Sequence, residues 1–258
     1  MKSKLLVLFF KHFVVFITIS FIYSCKQLPN LVQIKGRQLP VTDSLPSVSE
    51  IDEYIQPYRT HINQTLDSVL AYNPTTIDIY ETPLNTALGN FMVDVVYERS
   101  APVYEKRTGK AVDFAFLNHG GIRSKLNKGP VTARNAYELM PFENTVVVLE
   151  LTANHIENMA QFLAKNQRAH PFSDHFRLVL HKDHSIKSIT INGKPLEKNR
   201  VYRVATSNYL ANLGDRMTFF NDPVSRTETD YLIRNILIDH FAEIDTIKAQ
   251  YDNRFTIE

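Results

Sequence analysis

The chain has 258 residues but a single cysteine, Cys25, and only eight glycines. One cysteine cannot form a disulfide within the chain, and it restricts thiol chemistry to one position near the N-terminus. The formal net charge is only +2 at pH 7, and no basic stripe of the kind found in nucleic-acid-binding proteins is present. Internal repeats and low-complexity tracts are also absent from the sequence. We therefore expect a globular protein that does not bind nucleic acid.

The first 24 residues have the features of a bacterial signal peptide. Three lysines among the first eleven residues precede an apolar run over 13–23, which is too short for a confident membrane span. Cys25 directly follows Ile22-Tyr23-Ser24, and this tetrapeptide resembles a lipobox. We predict a lipoprotein signal peptide over 1–24 and a lipid on Cys25. This would hold the protein in the bacterial cell envelope, on the periplasmic face or the outer surface, through the lipid anchor only.

Two alternatives stay open for this segment: an ordinary secretory signal with an incidental cysteine, or an uncleaved anchor. Cleavage would remove three lysines and no acid, so the formal net charge would fall from +2 to −1. Residues 25–47 contain three prolines and many polar residues with little periodicity. This composition favours a flexible tether between the membrane and the folded domain.

Residues 48–258 are numerous enough for one domain with a sizeable core. Helical and strand patterns alternate along them, which favours an α/β (α+β layered) fold. A capping-box pattern at Ser225-Arg226-Thr227-Glu228 predicts the start of the last helix. The predicted helices lie at 49–70, 84–107, within 130–140, from Thr152 onward and at 225–242. The predicted strands lie at 111–117, 145–151, 176–180, 186–191, 201–206 and 254–257.

The segment 116–123, Phe-Leu-Asn-His-Gly-Gly-Ile-Arg, stands where a predicted strand gives way to a loop. Its adjacent glycines, Gly120 and Gly121, permit a positive φ or a close approach to a ligand. Arg123 offers a fork of donors suited to phosphate or carboxylate. Ligands often bind at strand ends in α/β sheets. The segment therefore favours either an anion-carrying small molecule or a tight turn with a surface arginine.

Four motifs occur in order along the chain and together identify a family. They are Asn118–Arg123, Gly129–Thr132, Met140–Asn144 and Tyr202–Asp215. The series resembles the C-terminal, substrate-recognition domain of the 5′-nucleotidases, from about residue 50 to the end. The fold that this resemblance implies is a single domain, 48–258, with mixed β-sheets sandwiched by helices.

The resemblance implies a nucleotide ligand and a role for each matching position. Asn118 and Arg123 would face its phosphate and ribose end, since arginine binds oxyanions as a fork. Phe142 and Tyr209 would sandwich its base. Asp215 would accept hydrogen bonds from ribose hydroxyls, as an ionised carboxylate can. The predicted substrate-binding residues are Asn118, Gly120, Gly121, Arg123, Phe142, Tyr209 and Asp215.

Each role has a simpler alternative when the residue is taken alone. Phe142 could be a core aromatic, and Tyr209 a core or rim residue. Asp215 could be an acidic residue that belongs to a turn, and Arg123 could be a charged surface residue that contacts only solvent. The order of the motifs, rather than any one residue, favours the binding roles.

The chain also departs from the family pattern. Tyr209 stands where many members have phenylalanine, and the tyrosine ring still offers an aromatic face for stacking. Leu213 replaces a glycine often found there, which would stiffen the loop. An arginine that often precedes the Leu-Gly-Asn helix has no equivalent near Thr82, so ribose and phosphate affinity could be reduced.

The resemblance covers only the recognition half of such enzymes. A complete member carries a metallophosphoesterase domain that holds two metals, whereas only a short tether precedes the recognition domain here. We interpret His119 as a loop residue rather than part of that domain's Asn-His motif. Two loose groups, His181–His184 and His170 with Asp174 and His175, lack the acid-rich character of a dimetal site. We expect no catalytic residue and no bound metal here, and two divalent metals in a partner chain.

Three hypotheses follow. In the first, the chain recognises a nucleoside monophosphate while a separate metallophosphoesterase hydrolyses the phosphate ester. In the second, it is an envelope lipoprotein that binds nucleotides or nucleosides without catalysis. In the third, the fold survives but the pocket has lost its ligand.

Overall fold

The computed structural model describes residues 2–22, 33–42 and 44–258. Cys25 lies outside these residues, so its lipidation stays a prediction. The chain divides into two compact units, 1–52 and 53–258. None of the described helices is both long and apolar enough to cross a membrane.

The described part of the chain alternates between helices and strands. The helices are α1 (Lys2–Ile22), α2 (Ser49–Leu66), α3 (Ala87–Thr108), α4 (Ala133–Leu139), α5 (Ala153–Asn166), α6 (Asn208–Ala211) and α7 (Ile233–Glu243). The strands are β1 (Val69–Asn73), β2 (Phe114–Ala115), β3 (Gly129–Thr132), β4 (Thr145–Thr152), β5 (Phe176–Leu180), β6 (Ile186–Ile191), β7 (Lys194–Pro195), β8 (Val201–Ser207), β9 (Ser225–Leu232) and β10 (Phe255–Ile257). Single 3-10 turns lie at His119–Gly121, Gly214–Arg216 and Thr218–Phe220.

The strands form three sheets. The central sheet has the order β2-β8-β4-β9, in which β2 runs parallel to β8 and the other pairs are antiparallel. A second mixed sheet has the order β10-β5-β6-β7, and β1 pairs with β3 in a third. Strands β2 and β8 of the central sheet end next to each other, so the loops that follow them meet at one edge.

Strand β4 contains the apolar run Val146–Leu149 because both faces of the central sheet are covered there. Val146 and Val148 pack with α3 and α7, whereas Val147 and Leu149 pack with α5 and the second sheet. This alternation follows from the two-residue period of a strand, and burial on both faces explains the unbroken apolar run. The predicted α/β fold, with mixed sheets sandwiched by helices, is confirmed.

The prediction of a helix starting at Ser225 is wrong. Residues 225–232 form β9, and α7 begins only at Ile233. The capping-box pattern concerns four neighbouring residues, whereas Ser225–Glu228 and Leu232 pair with β4, whose contribution no local pattern includes. The hydroxyl of Thr229 also donates to the carbonyl of Val146 at 2.6 Å. Long-range strand pairing therefore overrides the local helix signal.

Other boundaries differ from the predictions near the ends of elements. The helix predicted to reach residue 70 ends at Leu66, and β1 follows it at Val69–Asn73. The strand predicted over 111–117 is regular only at Phe114–Ala115, with an isolated bridge at Phe116. In contrast, the predicted hairpin strands Phe176–Leu180 and Ile186–Ile191 have the observed bounds.

Candidate functional site

The loop after β2 places Asn118 at the edge of the central sheet. Asn118 is buried, and its Nδ2 donates to Oδ2 of Asp215 at 2.6 Å, across 97 residues of sequence. The 3-10 turn His119–Gly121 follows it directly. This hydrogen bond joins the loop after β2 to the loop that follows β8 and α6.

Close packing, rather than an unusual φ, accounts for one of the two adjacent glycines in this loop. Neither has a positive φ. A Cβ on Gly121 would lie 2.7 Å from Oδ1 of Asn118, whereas a Cβ on Gly120 would be 3.6 Å from its nearest neighbours. Gly121 is therefore required for the position of the Asn118 amide, while Gly120 has room for a methyl group.

The loop after β8 presents Tyr209 and Asp215 together. Ser207 caps the short helix α6 by accepting from the backbone N–H of Leu210 at 3.2 Å. The Tyr209 hydroxyl donates to Oδ1 of Asp215 at 2.9 Å and accepts from the backbone N–H of Asp215 at 3.2 Å. A Cβ on Gly214 would lie only 2.5 Å from the Tyr209 ring, so the ring rests against this glycine.

The backbone of this second loop is unusual. Leu213, Asp215 and Arg216 all have φ between 52° and 65°, in the left-handed region that L-residues with side chains avoid. Backbone strain of this kind tends to be concentrated at functional sites. The sequence predicted a stiffer loop at Leu213. It did not indicate that three of the four residues from 213 to 216 have a left-handed backbone.

Phe142 and Arg123 form the facing wall. Phe142 lies between α4 and β4 and is 40 % exposed. The Arg123 guanidinium carbon lies 5.9 Å from the Phe142 ring centroid, and its Nη1 donates to the carbonyl of Gly120 at 3.3 Å. The backbone N–H of Arg123 donates to the carbonyl of Leu139 at 2.9 Å, and this hydrogen bond fixes the position of the Arg123 backbone.

All seven predicted substrate-binding residues line one cavity of about 300 Å³, together with Asn144. We call it the Phe142–Tyr209 cavity. Its volume is at the lower end of the range for small-molecule pockets. A larger cavity of about 600 Å³ lies beside α3 and α7 and contains none of these residues. The structure thus gathers the predicted residues in space, and their individual roles stay predictions.

The exposure of the two aromatic rings decides between some of the alternatives. Phe142 is 40 % and Tyr209 is 44 % exposed, so neither is a core residue. Asp215 lies in a turn, as its alternative predicted, but its carboxylate also accepts hydrogen bonds from Asn118 and Tyr209. Asn144 was not among the predicted site residues, although it belongs to the Met140–Asn144 motif.

Two buried histidines lie behind this loop. The backbone N–H of His119 donates to Nδ1 of His170 at 3.2 Å. Burial, followed by the charge of Arg168 and the proximity of His119, lowers the pKa of His170 to about 4. Burial also lowers the pKa of His119. Both imidazoles are therefore neutral at pH 7, and His119 lies in the loop turn as expected.

The donor groups around the site do not form a metal centre. No group of three or more His, Cys, Asp or Glu side chains within the described ranges is arranged to hold a metal ion. Of the two candidate groups, Nδ1 of His175 lies 2.8 Å from Oδ1 of Asp174, and Asp183 accepts from Ser185 at 2.6 Å. The Phe142–Tyr209 cavity itself contains a single carboxylate, Asp215, and no histidine.

Comparison with known proteins agrees with this geometry. The model of the family "5′-nucleotidase, C-terminal domain" matches residues 72–222, a range that includes every residue of the cavity. An apyrase from Tabanus yao is 23 % identical over 229 residues, which cover 79 % of this chain and 41 % of the apyrase. Protein UshA from Yersinia enterocolitica is 28 % identical over 139 residues, or 53 % of this chain and 25 % of UshA.

A solved structure supports the same fold. The 5′-nucleotidase precursor from Thermus thermophilus superposes with a TM-score of 0.66 at 22 % identity, over 81 % of this chain and 42 % of that one. This chain thus spans between a quarter and about two fifths of the length of these relatives. The match over 72–222 covers more than half of the chain, and the chain belongs to the 5′-nucleotidase C-terminal domain family.

Proposed function

We propose that this chain binds a nucleoside monophosphate in the Phe142–Tyr209 cavity and is the recognition half of a 5′-nucleotidase-type phosphohydrolase. The observation that carries the proposal is the convergence of seven residues from three separate loops on one cavity. The base would lie between the rings of Phe142 and Tyr209. Stacking of this kind contributes about 1–3 kcal/mol per base, and both rings are exposed in a concave site rather than packed in the core.

The ribose would bind at Asp215. Each carboxylate oxygen of Asp215 accepts one hydrogen bond, from Asn118 or from Tyr209. An ionised carboxylate has about four acceptor positions, so two remain for ribose hydroxyls. The bonds already made hold the carboxylate in place, which reduces the entropy lost when a ligand binds.

The phosphate would bind at Arg123. This side chain is exposed, and within the described part of the chain it forms no ion pair. Among the described residues, its side chain donates one hydrogen bond to protein, the 3.3 Å bond to the carbonyl of Gly120, which leaves most of its five N–H donors available. A guanidinium is well suited to bidentate binding of a phosphate.

We propose further that a separate metallophosphoesterase polypeptide supplies the two divalent metals and cleaves the ester. The Phe142–Tyr209 cavity offers one carboxylate and no histidine, so its residues do not fit a dinuclear metal site. In this proposal the chain orients the nucleotide, and no bond-breaking step is assigned to its residues. A lipid on Cys25 would hold the complex at the bacterial envelope.

Reconstitution tests this proposal. Adding the chain to a metallophosphoesterase recovered with it by pull-down should raise the rate of phosphate release from AMP, and chelation should abolish that release. Phe142→Ala should remove the stimulation, whereas Tyr251→Ala, which alters a 62 % exposed tyrosine outside the cavity, should not. Recovery of no such partner, or an unchanged rate with wild-type chain, would count against the split enzyme.

The second candidate is a nucleotide-binding lipoprotein of the envelope that acts without catalysis. It is favoured by a cavity that offers groups for a base, a ribose and a phosphate but no set of metal ligands. The two candidates share the binding site and differ only in the partner. Tight AMP binding without stimulation of any co-purifying phosphoesterase would select this second candidate.

A further inference from the structure

The loop 141–144, which carries Phe142, is short and is held at both ends by backbone hydrogen bonds. At its start, the backbone N–H of Met140 donates into the last turn of α4 at 2.9 Å. At its end, the carbonyl of Asn144 accepts from the backbone N–H of Ile233 at 2.9 Å. The residues between these two hydrogen bonds are exposed. Their side-chain contacts therefore decide how firmly the Phe142 ring is held.

One side-chain hydrogen bond holds the middle of this loop. Oε1 of Glu143 accepts from Nη2 of Arg234, in the first turn of α7, at 2.6 Å. The Glu143 side chain is 73 % exposed, whereas that of Arg234 is only 7 % exposed. Within the described part of the chain, the other side chains of the loop form no hydrogen bond. We call this pair the Glu143–Arg234 bridge.

Arg234 is itself fixed by two helices. It belongs to α7, and its guanidinium carbon lies 4.2 Å from the ring centroid of Tyr137, in α4. A guanidinium stacked on an aromatic ring is attracted to the face of that ring, which restricts its orientation. Nε of Arg234 is buried without a partner, so among the described residues the carboxylate of Glu143 is the one acceptor for this guanidinium. The bridge therefore ties the Phe142 loop to α4 and α7.

We infer that Arg234 is a positioning residue for nucleotide binding, which holds the Phe142 ring, through Glu143, where a base can stack. This inference rests on the proposed function, in which the base lies between Phe142 and Tyr209. Neither Glu143 nor Arg234 lines the Phe142–Tyr209 cavity, so their effect on a ligand passes through the loop. A loop that is already held in place loses less entropy when a ligand binds. Loss of the bridge should therefore weaken AMP binding about 3- to 10-fold.

Calorimetric titration of the full-length chain with AMP, without added metal, tests the inference. Glu143→Ala should weaken AMP binding by the stated factor, whereas Glu143→Gln keeps an acceptor oxygen and should stay within about twofold of the wild type. Arg234→Met keeps an apolar side chain against Tyr137 and should weaken binding as much as Glu143→Ala. The double variant should bind no more weakly than either single variant, because both remove the same interaction.

The matched control is Glu243→Ala, near the other end of α7. Glu243 is likewise exposed and accepts from Arg99 at 2.7 Å, but it lies outside the Phe142–Tyr209 cavity and the Phe142 loop. Its loss should leave AMP affinity unchanged. Circular dichroism checks that each variant is folded, and the exposed Glu143 keeps the inference testable even if Arg234→Met does not fold.

Three results would each overturn the inference: unchanged AMP affinity of Glu143→Ala, an equal loss in Glu243→Ala, or a double variant weakened by the product of the two single effects. The proposed function would still stand, provided that Phe142→Ala binds AMP more weakly than the wild type. If the wild type does not bind AMP, or if Phe142→Ala binds it equally well, the proposed function fails and this inference fails with it.

Discussion

Replacing Gly121 by alanine should destabilise the protein much more than replacing its neighbour Gly120. A Cβ at position 121 would lie 2.7 Å from Oδ1 of Asn118, so the Asn118 amide must move. That movement breaks the 2.6 Å hydrogen bond to the Asp215 carboxylate. A hydrogen bond to a charged group contributes about 1.5–3 kcal/mol. A Cβ at position 120 meets its nearest atoms at 3.6 Å, which is ordinary contact.

The pair of variants isolates this contact. Alanine reduces the entropy of the unfolded chain about equally at both positions, so that effect cancels when the two are compared. In a unit of this size, about 1.5–3 kcal/mol corresponds to a difference of about 3 to 12 °C in Tm. Thermal unfolding followed by circular dichroism measures it. Equal Tm values for Gly120→Ala and Gly121→Ala would refute the placement of the Asn118 amide against Gly121.

Three further predictions concern the second loop and the buried histidine. Gly214→Ala should displace the Tyr209 ring, which lies 2.5 Å from the added Cβ, and weaken AMP binding about tenfold in a calorimetric titration. Leu213→Gly should raise the free energy of unfolding by about 1 kcal/mol, because glycine relieves the left-handed φ of 65°; a lower value in urea unfolding would show that the leucine contacts matter more. The folded pKa of His170 is about 4 and its unfolded value 6.5, so stability present above pH 6.5 should be lost as the pH falls to 4. Over that interval the free energy of unfolding should fall about 3 kcal/mol more for the wild type than for His170→Asn, and parallel pH profiles would contradict this.

Elements whose pattern is decided locally could be predicted from the sequence. Strand β4 was recognisable from its β-branched run, and α5 from apolar residues at helical spacing after Thr152, which does cap it. Strands β5 and β6 were recognisable from their composition, and the end of β6 from the turn dipeptide Asn192-Gly193, which joins it to β7 and in which both residues have positive φ. In these segments the local preference and the tertiary environment agree.

Elements decided by distant partners could not be predicted in this way. Strand β9 exists because it pairs with β4, and β1 because it pairs with β3, and neither partner is visible in a local window. The capping-box pattern at 225–228 was misleading for the same reason. Its Arg226 instead bonds to Glu228 on the same strand face and to Asn212 in the second loop.

The site could be located from the sequence only through the order of the motifs. Phe142 and Tyr209 taken alone favoured core residues, and their exposure in one cavity became evident only in three dimensions. The hydrogen bond from Asn118 to Asp215 spans 97 residues, so no spacing argument could reveal it. Asn144 could have been found, because it ends a motif that already contributed Phe142.

The central claim is that two exposed rings hold a nucleobase, and calorimetric titration with AMP tests it most directly. The account predicts that the wild type and Tyr251→Ala bind AMP with equal affinity. It predicts that Phe142→Ala binds about 5- to 150-fold more weakly, as expected for the loss of one stacking face. Equal affinity of Phe142→Ala and the wild type, or no detectable AMP binding by the wild type, would contradict the account.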